Sequence, residues 1–446
     1  MTGGVKGRGM KVADSAQDPE RLAEAGLAWL LSSARHGGDG TLHWTTRPSD
    51  REPNPVLYSG TSGIVVALLE AYRHFGDSSY GDAALRAARS IAAATSDWEL
   101  HGLHFGLSGM AFALHAVGER LDDPASTAAA RHALDRVRAG FDGTRWGRYL
   151  ELLSGNAGIA LSALALGDQE LALLAVEPYT RTAEPTTYGL QWEQRREAGS
   201  RLHHVSHGTL GIVAALALVG RAAGRDDLVE LARAGAADVV ARDEAGPWGF
   251  LVPHSDPQAS PEKIERYSFG WCHGPAGDAQ VFRILRDVDP GGGWQALVDR
   301  CWYTVIHSGL PRRLRPGFWD NSGRCCGTAG VLALACDLMA ESGGAEAAEF
   351  ADVLVTDLAR RATVDGAGAR WSNVEHRRNP SLLEPEYGWA MGNAGIVREL
   401  LRFVRLSRGD DPGYSVALPD QSSVTVGGMK RAAAVVTTTP DHVPAR

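Results

Sequence analysis

Seven times along this chain the same five-residue phrase returns: SGTSG at 59–63, FGLSG at 105–109, SGNAG at 154–158, HGTLG at 207–211, HGPAG at 273–277, CGTAG at 326–330 and MGNAG at 391–395. The leading glycines, Gly60, Gly106, Gly155, Gly208, Gly274, Gly327 and Gly392, stand 46, 49, 53, 66, 53 and 65 residues apart. Self-similarity at such a period means repeated supersecondary units, each of which needs neighbours to bury its apolar face. The chain holds 53 glycines in 446 residues. A glycine-rich composition would scatter them, whereas here two recur per phrase at a constant offset.

Each phrase runs into an Ala- and Leu-rich segment, such as GIVVALLEAY, GMAFALHAVG and GIVAALALVG. This composition favours helix, and several of these helices are apolar on nearly every face, so they belong inside. The segments between them, including 82–96 and 123–140, carry Arg and Asp on one face and read as outer helices. The predicted unit is a loop, an inner helix, a link and an outer helix. Seven units predict an all-α fold, an α/α toroid built as a double barrel of seven inner and seven outer helices. The first glycine of each phrase is expected to permit unusual dihedrals, and the second to let the helix start pack tightly. A dinucleotide-binding reading fails, because no strand precedes these glycines in a βαβ context.

The predicted organisation is a flexible N-terminus over 1–19, the toroid over 20–411 and an extension over 412–446. In the extension, YSVALPD and SSVTV read as a packed strand or loop before a disordered end. Stretches 170–206, 246–270 and 308–324 read as long insertions where a binding surface would be built. The basic N-terminus lacks the apolar run of a secretory signal. Apolar runs of about ten residues are too short for a membrane span. A formal charge of −8 with no basic cluster interleaved with aromatics argues against nucleic acid. Five cysteines make no disulfide scaffold, and a cytoplasmic location is expected.

The chemistry sits in the positions just before each leading glycine. Three of the five cysteines fall there in adjacent repeats: Cys272 two before Gly274, Cys325 and Cys326 two and one before Gly327. Three thiols converging at neighbouring helix N-termini read as a zinc triad, with buried inert thiols as the plain alternative. Three protein ligands leave a fourth position open. Zinc held by thiolates suits retention of a further nucleophilic thiolate better than activation of water. His273 is a further possible ligand. Cys301 and Cys336 read as core. His207, directly before Gly208, reads as a proton handler, against the alternative that it merely caps its turn. Glu151, four before Gly155, could reach the rim and orient a histidine. His101, His104, His203 and His204 read as loop residues.

Taken together, the seven loops, WCHGPAG and CCGTAG resemble the lanthionine synthetase C-like proteins, the cyclases of lanthipeptide biosynthesis and their relatives, over residues 20–411. The resemblance implies a double α-toroid and zinc on Cys272, Cys325 and Cys326, with cysteine where the family commonly has histidine. It implies an acid/base role for His207, and it places Glu151 where the family often has Asp. The implied reaction adds a cysteine thiolate to dehydroalanine or dehydrobutyrine in a dehydrated precursor peptide, making a lanthionine or methyllanthionine thioether. The precursor would carry a leader, and dehydration would need a separate dehydratase or kinase/lyase enzyme. Competing readings are addition of glutathione or another small thiol to such peptides, a non-catalytic peptide-binding toroid, and an α/α-barrel glycosidase. The last would need a carboxylate pair.

Overall fold

The computed structural model describes residues 18–421 except 198, 260, 262–263, 313–320, 343 and 376–377. Among the described residues there are fourteen helices and four short antiparallel strand pairs. The inner helices are α2 (Thr61–Phe75), α4 (Leu107–Leu121), α6 (Asn156–Ala165), α8 (Thr209–Ala223), α10 (Pro275–Val288), α12 (Thr328–Ser342) and α14 (Asn393–Arg408). They touch in cyclic order, and α14 closes on α2. The outer layer is α1 (Pro19–Ser32), α3 (Ser78–Ala94), α5 (Pro124–Ala139), α7 (Gln169–Thr182), α9 (Asp226–Val240), α11 (Trp294–His307) and α13 (Ala345–Arg361). The α/α toroid expected from the repeat is the fold observed. The apolar-all-round sequences do what they must: α8 is buried without interruption from Thr209 to Gly220.

The repeat explains how each inner helix starts. Outer helices α1, α3, α5 and α7 are capped by the side chains of Asp18, Asp77, Asp123 and Asp168. Inner helices begin at glycine without a side-chain cap. The incoming loop instead folds back, and the exposed N–H donates to a carbonyl seven residues upstream: Thr61 to Asn54, Leu107 to Leu100, Leu210 to His203, Asn393 to Glu386. That fold-back leaves no room for Cβ atoms. The expected unusual dihedrals are not found: the leading glycines have extended backbones, for example φ −135° at Gly60 and −116° at Gly392. Both glycines are required by contact. A Cβ on Gly60 would lie 2.1 Å from the Asn54 carbonyl oxygen, and one on Gly109 would lie 1.9 Å from that of Leu103.

A prediction follows at Gly109. Gly109→Ala should lower stability by about 1–3 kcal/mol through overpacking against backbone that cannot move aside. Gly38→Ala, where a Cβ meets nothing within 4 Å, should leave the thermal midpoint unchanged. Equal midpoints for the two variants would refute the steric account.

The order of the unit changes at the ring's closure. The outer partner of α14 is α1, from the beginning of the chain, rather than a helix following α14. Glu20 on α1 accepts from Arg408 on α14 at 2.7 and 2.6 Å and pairs with His74 on α2 at 2.8 Å. The Arg408 hydrogen bond, then that of His74, holds the Glu20 carboxyl down at about 2. The stretch 170–206 is also not all insertion, since its first part is outer helix α7.

Residues 411–421 enter the ring from the end where the inner helices finish. Tyr414, Val416, Ala417 and Leu418 are buried there, but no strand forms. Of the strand or loop that YSVALPD predicts, the packed loop is the one observed. Its backbone groups are claimed by side chains instead: Arg398 donates to the Val416 carbonyl, Arg402 to that of Pro412, and Ser415 N–H donates to Glu70. Residues 1–17 and 422–446, which include SSVTV and the expected disordered ends, lie outside the described residues.

Candidate metal centre in the loop ring

The positions two before each leading glycine are Tyr58, His104, Leu153, Ser206, Cys272, Cys325 and Ala390. Their backbones form a ring around the toroid axis. Tyr58 N–H donates to the His104 carbonyl at 2.9 Å and His104 to Leu153 at 2.9 Å. Ser206 donates to Cys272 at 3.3 Å, Cys272 to Cys325 at 3.2 Å, Cys325 to Ala390 at 2.8 Å and Ala390 to Tyr58 at 2.8 Å. The seventh link, from Leu153 to Ser206, is not made. Leu153 N–H turns to the Glu151 carboxylate at 2.6 Å, and Ser154 N–H donates to the same group at 2.9 Å.

The ring brings the three cysteines together. Their sulfurs lie within 4.8 Å of one another, with Cys272 to Cys326 at 3.0 Å and Cys326 to Cys325 at 3.4 Å. All five cysteines are free thiols. The Cys325 sulfur is pulled well below the ordinary thiol range by hydrogen bonds from Cys272 and Cys326, and further by Tyr58, whose hydroxyl donates at 3.3 Å. Its neighbour Cys272 is pushed up by sharing its proton with Cys325 and Cys326. A tetrahedral zinc with bonds of about 2.3 Å would want sulfurs roughly 3.8 Å apart. The triad would need to open by under about 1 Å, so the donor set fits a thiolate-binding cation.

Glu151 and His207 meet across the broken link. His207 Nδ1 is 3.2 Å from Glu151 Oε2. Burial would depress the imidazole, but the hydrogen bond and charge of Glu151, aided by the Cys325 sulfur, hold it above its ordinary value. Glu151 itself is almost fully enclosed, with His207 39% exposed on the loop face. The two backbone N–H groups that Glu151 accepts fix its position, so His207 is oriented by a rigid partner.

Other histidines surround this point and are shifted the other way. Burial holds His104 and His203 down at about 3 and His254 at about 4. His273, beside Cys272, lies with its ring 4.0 Å from that of His254 and 5.7 Å from that of His207. His204 is fully buried, with Nδ1 on the Asp278 carboxylate at 2.9 Å. His203 and His204 do lie in a loop, as expected, but a buried one. Cys301 and Cys336 are buried on α11 and α12, in the core.

Two residues of the ring escaped the sequence reading. Tyr58 and His104 occupy the same slot as Cys272 and Cys325, and aligning the seven phrases by that slot would have exposed both. His104 reads from the sequence as a loop residue, and it is a loop residue fully buried in the ring. One position earlier, Arg324 is buried between Trp271 and Trp389, 5.7 and 5.6 Å from their rings, and donates to Glu399 at 3.1 Å. Those tryptophans fill the same slot in the neighbouring repeats. Of the predicted insertion 308–324, residues 313–320 lie outside the described residues.

Comparison with known proteins adds three findings. The family model "Lanthionine synthetase C-like protein" matches residues 52–250 and 258–347. Among solved structures the chain is similar to nisin cyclase, with a TM-score of 0.57 at 15% identity, covering 82% of this chain and 93% of that one. It is also similar to an unsaturated glucuronyl hydrolase responsible for glycosaminoglycan degradation in Bacillus sp. GL1. That TM-score is 0.50 at 16% identity, over 90% of this chain and 98% of the other. At such identities the likenesses speak for the fold. No curated protein matches the sequence. No helix among the described residues is long and apolar enough to cross a membrane.

Proposed function

The chain belongs to the lanthionine synthetase C-like family, and on that premise we propose that it is a zinc-dependent lanthipeptide cyclase. The substrate would be a dehydrated precursor peptide, made by a separate dehydrating enzyme and carrying a leader. The observation that carries this reading is the pairing, on one face of the toroid, of a three-sulfur cluster with an imidazole held by a buried carboxylate.

Cys272, Cys325 and Cys326 would hold the zinc ion, which when bound supplies a place where a substrate thiol is deprotonated yet stays nucleophilic. The thiolate sulfur forms a bond to the β-carbon of dehydroalanine or dehydrobutyrine. The π-electron pair moves to give an enolate, and the α-carbon takes a proton from His207. The thiol's proton returns to His207 through solvent, so the peptide's mass is unchanged. Glu151 keeps the imidazole aimed and favours its protonated form, as a proton donor requires. A glycosidase reading is less well served, because sulfurs occupy the centre and Glu151 is committed to two N–H groups and His207.

The test is direct. Zinc-loaded protein mixed with a dehydrated, cysteine-containing precursor should remove alkylatable thiol at constant peptide mass. Absence of thioether from authentic precursor, with efficient addition of glutathione instead, would replace this reading with small-thiol transfer.

A further inference from the structure

Beside the cysteine cluster the loop face carries a cavity of about 480 Å³, within the range of ligand sites. Its lining is mixed: Pro53, Val56, Trp98, Leu100 and Phe105 are apolar, Thr46, Asn54 and Ser59 are polar, and Asp50, Arg51 and Glu52 are charged. Ser59 and Phe105 stand directly before Gly60 and Gly106, the slot that carries His207, His273 and Cys326 in later repeats. The cavity therefore opens on the same face as the cluster.

Tyr58 is the partition between them. Its ring lies 4.8 Å from that of Phe105, while its hydroxyl is 3.3 Å from the Cys325 sulfur. One tyrosine thus links Phe105 of the cavity lining to the sulfur cluster. An extended peptide advances about 3.4 Å per residue, so the reach of one tyrosine side chain and its two contacts is covered within about three residues. The indole of Trp98 is held in place by its N–H bond to the Phe105 carbonyl at 3.0 Å. Leu100, 58% exposed, is one of few large apolar side chains left open to solvent.

We propose that this cavity is the subsite for an apolar side chain of the peptide substrate, one to three residues from the cysteine that reacts at the cluster. The proposal rests on the cyclase reading and adds to it a sequence preference. A peptide with Leu, Ile or Phe in that window seats its side chain on Phe105, Leu100 and Trp98. A peptide with Asp there sets a carboxylate against those apolar side chains and among Asp50 and Glu52, with Arg51 the one cation of the lining, and binds more weakly.

The experiment measures binding and turnover separately. Fluorescence anisotropy of a labelled dehydrated peptide with Leu two residues from its cysteine gives Kd for zinc-loaded wild type, Leu100→Asp and Phe105→Ala. Leu100 is exposed, so Leu100→Asp keeps the test valid if Phe105→Ala folds poorly. The expected result is a Kd and KM about tenfold higher in Leu100→Asp, with zinc content unchanged. Addition of N-acetylcysteine to a dehydroalanine amide, too small to reach the cavity, should proceed at the wild-type rate. An unchanged Kd in Leu100→Asp, or no binding to wild type, would overturn the subsite. Wild type that binds the peptide with this Leu100 dependence but forms no thioether would overturn the cyclase reading alone.

Discussion

Replacement of Cys272 by alanine is expected to leave a folded chain that no longer holds one zinc per molecule. The fold should survive because Cys272 contributes its N–H and carbonyl to the loop ring whatever its side chain. Metal binding should not survive. Loss of even an outer partner of a metal ligand typically costs about 10–100-fold in affinity, and a lost ligand costs more. The two remaining sulfurs, Cys325 and Cys326, are adjacent in sequence and cannot by themselves enclose the ion. Elemental analysis after dialysis should give well under one zinc per chain, with thioether formation lost in parallel. Wild-type zinc content in Cys272→Ala would remove this residue from the proposed ligand set.

His207→Ala should separate chemistry from metal binding. The imidazole touches none of the three sulfurs through a hydrogen bond; it is held by Glu151. The variant should keep its zinc and lose roughly 10²–10⁴-fold in turnover, the usual worth of a positioned proton donor. The pH dependence has a definite sign. Glu151 raises the His207 pKa, so the protonated donor persists to higher pH and is lost as pH rises through that value. Turnover should therefore fall on the alkaline side. Glu151→Gln retains the size of the side chain and removes its charge, so this alkaline fall should move to lower pH. It should vanish in His207→Ala. An identical profile in all three proteins would show that His207 does not supply the proton.

The alkaline fall depends on an arrangement that no motif records. Six of the seven ring positions pass their N–H to the next repeat, and at Leu153 the N–H turns to Glu151. That break is where a carboxylate enters the ring and meets His207. Glu151 could be suspected from its place four before Gly155, but not its two N–H partners, because hydrogen bonding between repeats is set by their packing. Tyr58 and His104 show the same limit from another side. Alignment of the slot exposes both residues, but what each one touches, Cys325 for Tyr58 and Trp389 for His104, is set only by packing.

The fold was legible for a plain reason. A repeated turn followed by an all-apolar helix can bury itself only by packing against copies of itself, and seven copies close a ring. The role of the glycines was half legible. Their small size was foreseen, but the extended dihedrals came from a loop that caps its own helix with backbone carbonyls. Periodicity misjudged the closure, since it could not tell that α1 completes the seventh pair. It also left strand and loop open for YSVALPD, where side chains of Arg398, Arg402 and Glu70 claim the backbone and decide for a loop.

What the amino-acid sequence determined by itself was therefore local and repetitive: which segments are helices, which of them lie inside, and which slots carry sulfur and imidazole. The tertiary structure decided how closely those slots meet and which groups pair across them. Slot spacing along the chain is 46–66 residues, yet Cys272 and Cys326 meet at 3.0 Å, and Glu151 and His207 at 3.2 Å. Those encounters depend on the curvature of a closed ring. It brings seven distant loops to one axis, where a single displaced N–H is enough to set a carboxylate against an imidazole.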